Sequence, residues 1–266
     1  MEDNKLKIEV PIMANVFAKG EHPEYLFWVG CAGAFDKRYQ KVAKSFAKIL
    51  NHLNVSYATL GAEESCTGDP AKRAGNEMLF QMQAMTNIQI LNGYEVKKII
   101  TICPHCFNIF KNEYPELGGN YEVIHHTQFL KKMMDEGKFI FNTELFSENK
   151  VTFHDPCYLG RGNEIYDEPR DVIKAVAKNT IEMERSRNNA LCCGAGGAQM
   201  FKEAEKGDKE IFMERTEDVI KCGADIVATA CPFCMTMLTD GLKYKEKEES
   251  MKNLDIAEMV CMSLGL

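Results

Sequence analysis

Apolar residues along the chain alternate between short continuous runs and longer stretches with an apolar position every three or four residues. The run at 25–30 reads as a buried strand, because a strand covered on both faces needs no polar alternation, and 55–60, 98–102 and 121–125 read as the second, third and fourth strands. Between them, 36–51 carries Val42, Phe46, Ile49 and Leu50 at helical spacing, and 127–137 closes the set with another helix. Asp69 as N-cap and Pro70 at the first helical position open a third helix, predicted to run through Asn92 and to stop at Gly93. Met78, Met82 and Met85 lie on one side of that helix and are expected to fill core, as flexible thioethers do.

The order then returns. Runs at 151–154, 181–185 and 225–230 read as strands, and helices are predicted over 168–177, 198–222 and 235–245. Strands alternating with helices imply parallel sheets, so the fold class is α/β: two tandem, pseudo-symmetric Rossmann-like βα modules. The expected boundaries are an arm over 1–24, a first module over 25–138, a connector over 139–150 and a second module over 151–266. The arm reads as extended from 5 to 13, with Pro11 limiting any helix and a turn at 20–23, and is expected to dock on a partner.

Composition narrows the class. At 266 residues and 45% hydrophobic, the chain has room for two ordinary cores. A net charge of −7 without a basic tract argues against nucleic-acid binding through phosphate neutralisation. No run reaches the roughly 18 apolar residues of a membrane span, and the first residues form no signal-peptide core, so a cytoplasmic protein is expected, reaching the inner face of a membrane only through partners.

The eleven cysteines change the picture most. Cys31, Cys66 and Cys103 precede Cys157, Cys192 and Cys231 by 126, 126 and 128 residues, an offset constant enough to mean a duplication. Each module presents a single cysteine, a Cys66-Thr67-Gly68 or Cys192-Cys193-Gly194 loop, and a Cys-Pro-x-Cys pair, Cys103/Cys106 or Cys231/Cys234. All leave the carboxyl ends of predicted strands, the edge where parallel sheets gather ligands. A disulfide framework belongs to small secreted domains, which this is not. Cys222 and Cys261 have no counterpart in the other half and read as ordinary buried thiols. The other nine read as metal ligands. Soft thiolates without interleaved carboxylates select iron–sulfur clusters or zinc, and five thiols in the second module exceed what tetrahedral zinc takes. Gly194, Gly196 and Gly197 would let backbone N–H groups approach an anionic cluster, and the helix expected from Ala198 would add its positive end.

This repeated layout resembles the duplicated cysteine-rich CCG domain of the heterodisulfide reductase B-type family, which includes the CCG parts of lactate and glycolate oxidation complexes, the C-type component of glycerol-3-phosphate dehydrogenase and electron-transfer-flavoprotein:menaquinone oxidoreductases. The resemblance covers roughly residues 25 to 262. It implies that Cys157, Cys192, Cys193, Cys231 and Cys234 bind a non-cubane 4Fe–4S cluster. It also implies an electron-transfer subunit of an oxidoreductase complex, passing electrons between a flavoprotein or ferredoxin-type iron–sulfur subunit and a quinone or disulfide acceptor, with a membrane-bound quinone-reducing subunit among its partners. The first module departs from the pattern: Thr67 replaces the second cysteine of the tandem pair, leaving Cys31, Cys66, Cys103 and Cys106 for an ordinary 4Fe–4S cluster or zinc. The substitution weighs against disulfide reduction by two five-cysteine clusters and favours delivery toward a quinone. The alternatives are a heterodisulfide or thiol–disulfide reductase and a zinc-stabilised assembly protein without redox chemistry.

Other polar residues carry weaker signals. His105 is expected outside the ligand set, supporting it or facing solvent. The His125-His126 pair is expected to be partly exposed, and Arg73, Arg161 and Arg170 are expected in surface pairs. His154 and Asp155, just before Cys157, fit hydrogen bonding to the site, proton delivery or a simple turn.

Overall fold

The computed structural model describes residues 8–203 and 206–266. In chain order the first half forms α1 (Met13–Phe17), β1 (Tyr25–Trp28), α2 (Gly30–Phe35), α3 (Tyr39–His52), β2 (Tyr57–Ala58), α4 (Asp69–Arg73), α5 (Glu77–Gly93), β3 (Lys98–Thr101), α6 (Pro104–Asn108), β4 (Glu122–His125) and α7 (His126–Asp135). The second half forms β5 (Lys150–Phe153), α8 (Asp167–Val176), β6 (Asn179–Thr180), α9 (Ile211–Lys221), β7 (Ile226–Thr229), α10 (Pro232–Tyr244), β8 (Lys252–Asp255) and α11 (Ile256–Ser263). Two four-stranded sheets result, ordered β2-β1-β3-β4 and β6-β5-β7-β8, with every pairing parallel. Their registers match: Phe27 lies opposite Ile100 in one and Phe153 opposite Ala228 in the other.

The two sheets share one layer of helices. α3, α7, α8 and α11 pack together between them, and a single apolar core runs from Phe27 and Phe46 through Phe129 and Ile173 to Met259 and Phe153. Outside this layer, α5 covers the first sheet through Phe80, Ala84, Ile88 and Leu91, and α9 and α10 cover the second through Val219, Leu238 and Leu242. Burying the larger apolar side chains stabilises by ~1.5–3 kcal/mol each, so this shared layer holds the halves together. Arg38 adds a two-pronged bond to Glu258, with both N···O distances 2.7 Å.

Several expectations are corrected. The helix predicted from Asp69 through Asn92 is two helices. Gly68, not Asp69, is the N-cap of α4, with φ +91°; the backbone is left-handed again at Gly75, after α4, and the Asn76 side chain accepts from Leu79 N to start α5. Met78, Met82 and Met85 are 74%, 60% and 61% exposed. They point away because Phe80, Ala84, Asn87, Ile88 and Leu91, at their own helical spacing, form the buried stripe.

In the second half the short strand is Asn179–Thr180 rather than 181–185: the earlier pair lies opposite Lys150 and Val151, and of the predicted run Ile181 adds one bond, from its N–H to Val151 O at 2.9 Å. The helix predicted over 198–222 is present only as α9; at Ala198 the backbone is left-handed, φ +62°, and Gln199–Phe201 forms one tight turn. Part of that prediction, 204–205, lies outside the described residues. β8 and α11 complete the repeat beyond the elements expected from the pattern.

The arm docks on this chain's own sheet: Thr59 N donates to Pro11 O and Met13 N to Thr59 O, both at 2.8 Å, and α1 follows. Its portion before residue 8 lies outside the described residues. His125 and His126 are fully buried, and Arg170 is buried as well, so the surface readings of all three fail.

Candidate metal centre

All three cysteine stations of each half lie past the carboxyl ends of strands. In the first half Cys31 follows β1, Cys66 sits in the loop after β2, and Cys103 and Cys106 follow β3, lining one cavity with Trp28 and Thr67. The Cys-Pro-x-Cys spacing has a local cause. Cys103 is the N-cap of α6, Pro104 occupies the first turn where no N–H is needed, and Cys106 lies within that turn. Cys231, Pro232 and Cys234 repeat the arrangement at α10. The four first-half thiols meet pairwise, Cys31 with Cys66 and Cys106 with Cys103. Cys66 is brought down to about 6, by the Cys31 hydrogen bond first and by the Gly68 N–H as well, against the effect of burial.

The second half brings five thiols into one continuous chain of contacts: Cys157 to Cys192, Cys192 to Cys193, Cys193 to Cys234, and Cys234 to Cys231. Hydrogen bonds from Cys157 and then Cys193 hold Cys192 far below the usual thiol range. Burial opposes ionisation of Cys231, yet hydrogen bonds from Cys234 and His105 bring it down to about 5. Thr67 stands where Cys193 stands, buried, with its Oγ1 3.9 Å from Cys106 Sγ.

Gly68 and Gly194 are the equivalent glycines after the ligand loops. Both are left-handed, φ +91° and +90°, and their N–H groups donate to Cys66 Sγ at 3.4 Å and to Cys192 Sγ at 3.3 Å. A Cβ on Gly68 would lie 2.8 Å from the Phe80 ring. The N-terminal end of α10 also faces the second group of thiols. Soft thiolates, inward backbone N–H groups and a helix end suit an anionic metal–sulfur centre. The positive helix end expected from Ala198 is not in place, since α9 starts only at Ile211.

Three polar assemblies surround the thiols. His105, expected outside the ligand set, is buried between the Tyr158 and Phe233 rings; its Nδ1 is 2.7 Å from Asp69 Oδ2, and the ring also hydrogen-bonds with Cys231 of the other half. Burial disfavours its charge, but Asp69 and then Cys231 raise its pKa well above the ordinary histidine value. Asp155 accepts both prongs of Arg170, at 2.7 and 2.9 Å, and the Arg187 N–H at 2.8 Å, so it braces the turn before Cys157. Its neighbour His154 is fully buried, with Nδ1 accepting from Arg215 Nε at 3.0 Å and a ring nitrogen grouped with Cys193 and Cys234, the three atoms within 4.8 Å of one another. Arg73 is half-buried against Asp69 and Glu113, and Arg161 donates to Ala190 O. Cys261 is buried away from both groups, as expected, and Cys222 is half-buried against the apolar cluster under α9 and α10. The links His105–Cys231 and Arg215–His154 have no local sequence signal.

Fold and site together define a duplicated α/β protein with a group of thiols at the carboxyl edge of each parallel sheet. The chain belongs to the CCG cysteine-rich domain family, whose sequence profile matches residues 25–111 and 151–239. It is 46% identical over 257 residues to the probable iron–sulfur-binding oxidoreductase FadF of Bacillus subtilis, covering 96% of this chain and 36% of that protein. It is 44% identical over 247 residues to the EtfAB:quinone oxidoreductase of Syntrophomonas wolfei, covering 91% and 34%. With the D-type component of the dihydromethanophenazine:CoB–CoM heterodisulfide reductase of Methanosarcina barkeri it shares 33% over 254 residues, covering 91% and 59%. The chain thus spans about a third of the length of the first two relatives. No helix among the described residues is long and apolar enough to cross a membrane.

Proposed function

We propose that this chain is the iron–sulfur electron-transfer part of an oxidoreductase, with Cys157, Cys192, Cys193, Cys231 and Cys234 holding a non-cubane 4Fe–4S cluster and Cys31, Cys66, Cys103 and Cys106 holding a second 4Fe–4S cluster or zinc. The observation that carries the reading is the unbroken contact chain of five thiols in the second half, one more than tetrahedral zinc takes. The relatives, a probable iron–sulfur-binding oxidoreductase and an EtfAB:quinone oxidoreductase, support it.

When bound, such a cluster accepts and releases single electrons. The protein's own residues supply the setting. The thiols are mostly buried, which limits water at the site; Gly68 and Gly194 direct N–H groups at the sulfurs; and Asp155, clamped by Arg170, fixes the backbone that carries Cys157. His105, flanked by Cys103 and Cys106 and touching Cys231, makes the two pockets contiguous, so one electron route can serve both. The donor is a flavoprotein or ferredoxin-type subunit, and delivery runs toward a quinone, with a disulfide as the other acceptor class; Thr67 favours the quinone.

The test is iron, sulfide and zinc content per chain after anaerobic purification, with EPR of oxidised and reduced forms. About four irons with an oxidised-state signal that Cys193→Ser abolishes supports one five-thiolate cluster, and about eight irons adds a second cluster. Stoichiometric zinc without iron, after attempted reconstitution, overturns the reading.

A further inference from the structure

Trp28 ends β1, and His154 directly follows β5, 126 residues later, at the same place relative to the matched registers of the two sheets. Both side chains are fully buried. Each keeps one ring nitrogen, Trp28 Nε1 and His154 Nε2, without a hydrogen-bond partner among the described residues. Burying an N–H away from any acceptor is costly. That the cost recurs at two equivalent stations points to an acceptor that both pockets hold.

The chemistry of each ring fixes its role. Trp28 lines the first pocket with Cys31, Cys66, Cys103 and Cys106, and an indole N–H only donates. At His154 the Arg215 Nε–H donates to Nδ1, and a guanidinium cannot accept, so Nδ1 carries the lone pair. The ring hydrogen therefore sits on Nε2, the nitrogen without a partner among the described residues, on a ring that is grouped with Cys193 and Cys234. An Nε2 that carries hydrogen has no lone pair for a metal, so His154 is a donor to the site and not a ligand.

We propose that Trp28 Nε1–H and His154 Nε2–H are equivalent hydrogen-bond donors to sulfur of the cluster in their respective pockets, and that each raises its cluster's reduction potential by stabilising the more negative reduced form. Arg215 acts as a positioning residue by fixing the histidine tautomer. The inference rests on the iron–sulfur reading above. Hydrogen bonds to cluster sulfur are among the levers that set such potentials.

Trp28 is the chain's single tryptophan, so 15N-tryptophan labelling places one tryptophan probe. Iron and sulfide are measured first on the unsubstituted anaerobic protein; iron-free protein sinks the iron–sulfur reading itself. With iron present, pulsed EPR is expected to show a weak 15N coupling and an exchangeable proton from Trp28. Trp28→Phe should remove both and shift the first-pocket potential downward by at least a tenfold change in the oxidised-to-reduced ratio, 59 mV for a one-electron couple. His154→Phe should do the same in the second pocket. Because that variant strips Arg215 of its acceptor, 15N-histidine labelling provides a readout that leaves His154 in place, with His105, the other ring that touches Cys231, replaced by phenylalanine. A weak histidine coupling that survives His105→Phe supports donation, and one of ligand size overturns it. Loaded protein with no nitrogen coupling, and potentials unchanged in the phenylalanine variants, overturns the inference and leaves the iron–sulfur reading standing.

Discussion

His126 at the start of α7 and Asp255 at the end of β8 meet in the helix layer between the two sheets: His126 Nε2 lies 3.1 Å from Asp255 Oδ1, and neither side chain is exposed. Asp255 also caps α11 through the Ala257 N–H at 2.9 Å and lies 3.1 Å from the Tyr39 hydroxyl. Asp255→Ala leaves His126 and the Ala257 N–H buried without this partner, while the Tyr39 hydroxyl keeps its bond to Ile102 O at 2.8 Å, and is expected to destabilise the fold by about 3–5 kcal/mol. Urea unfolding should show a lower midpoint at unchanged slope. Asp255→Asn keeps a capping oxygen and should cost less; a loss below about 1 kcal/mol in the alanine variant would contradict this role.

The adjacent His125 gives the protein a pH dependence. Burial, then the neighbouring His126, depresses its pKa well below 6.5. In the unfolded chain the ring titrates near 6.5, so below that pH the unfolded state binds a proton that the folded state does not. Stability therefore falls as the pH drops below about 6.5, by up to about 1.4 kcal/mol per pH unit for this group. The depressed carboxylates Glu113 and Glu182 contribute stability that is lost only at lower pH, below about 4.5. His125→Asn keeps an N-cap on α7 without a titrating ring. The dependence of its urea midpoint on pH between about 5 and 6.5 should be shallower by one proton, and an unchanged slope would refute the assignment.

Thr67 is the difference between the two pockets. Its Oγ1 lies 3.9 Å from Cys106 Sγ, as Cys193 meets Cys234 in the other half, so Thr67→Cys should be accommodated with little loss of stability. Under the iron–sulfur reading, this variant is expected to gain a second oxidised-state EPR signal resembling that of the second pocket. An unaltered spectrum with unaltered metal content would show that a fifth thiol is not what separates the sites.

Gly194 holds a left-handed backbone while donating to Cys192 Sγ. A side chain there also meets Ile211 Cβ at 3.3 Å. Gly194→Ala is expected to cost about 1–3 kcal/mol from the backbone alone and to lower iron occupancy of the second pocket, read by metal analysis of freshly purified protein. Full occupancy at unchanged thermal midpoint would contradict the cradle role.

Much of the fold is legible in the chain. Parallel strands buried on both faces are continuous apolar runs, and the runs at 25–30, 98–102 and 225–230 become β1, β3 and β7, trimmed at their ends, while 121–125 becomes the half-exposed edge strand β4. The short strand of the second half is harder to place, because a two-residue edge strand at Asn179–Thr180 has little pattern to read. The helical periodicity that starts at Asp69 continues through Gly75, where a left-handed backbone separates α4 from α5. Side-chain type alone sends Met78, Met82 and Met85 to the core, while in the structure Phe80, Ala84, Ile88 and Leu91 take the buried side.

The sequence by itself determined the α/β class, the duplication and the cysteine stations. Strand runs, the offset of 126 residues and the Cys-Pro-x-Cys start of a helix are all properties of spacing along the chain. Tertiary structure alone decided that His105 touches Cys231, that His126 meets Asp255, and that Trp28 and His154 each keep a buried ring nitrogen with no hydrogen-bond partner among the described residues. These relations depend on which faces the two sheets bury and how they share one helix layer. They join residues that the chain holds far apart, and no local periodicity specifies such packing.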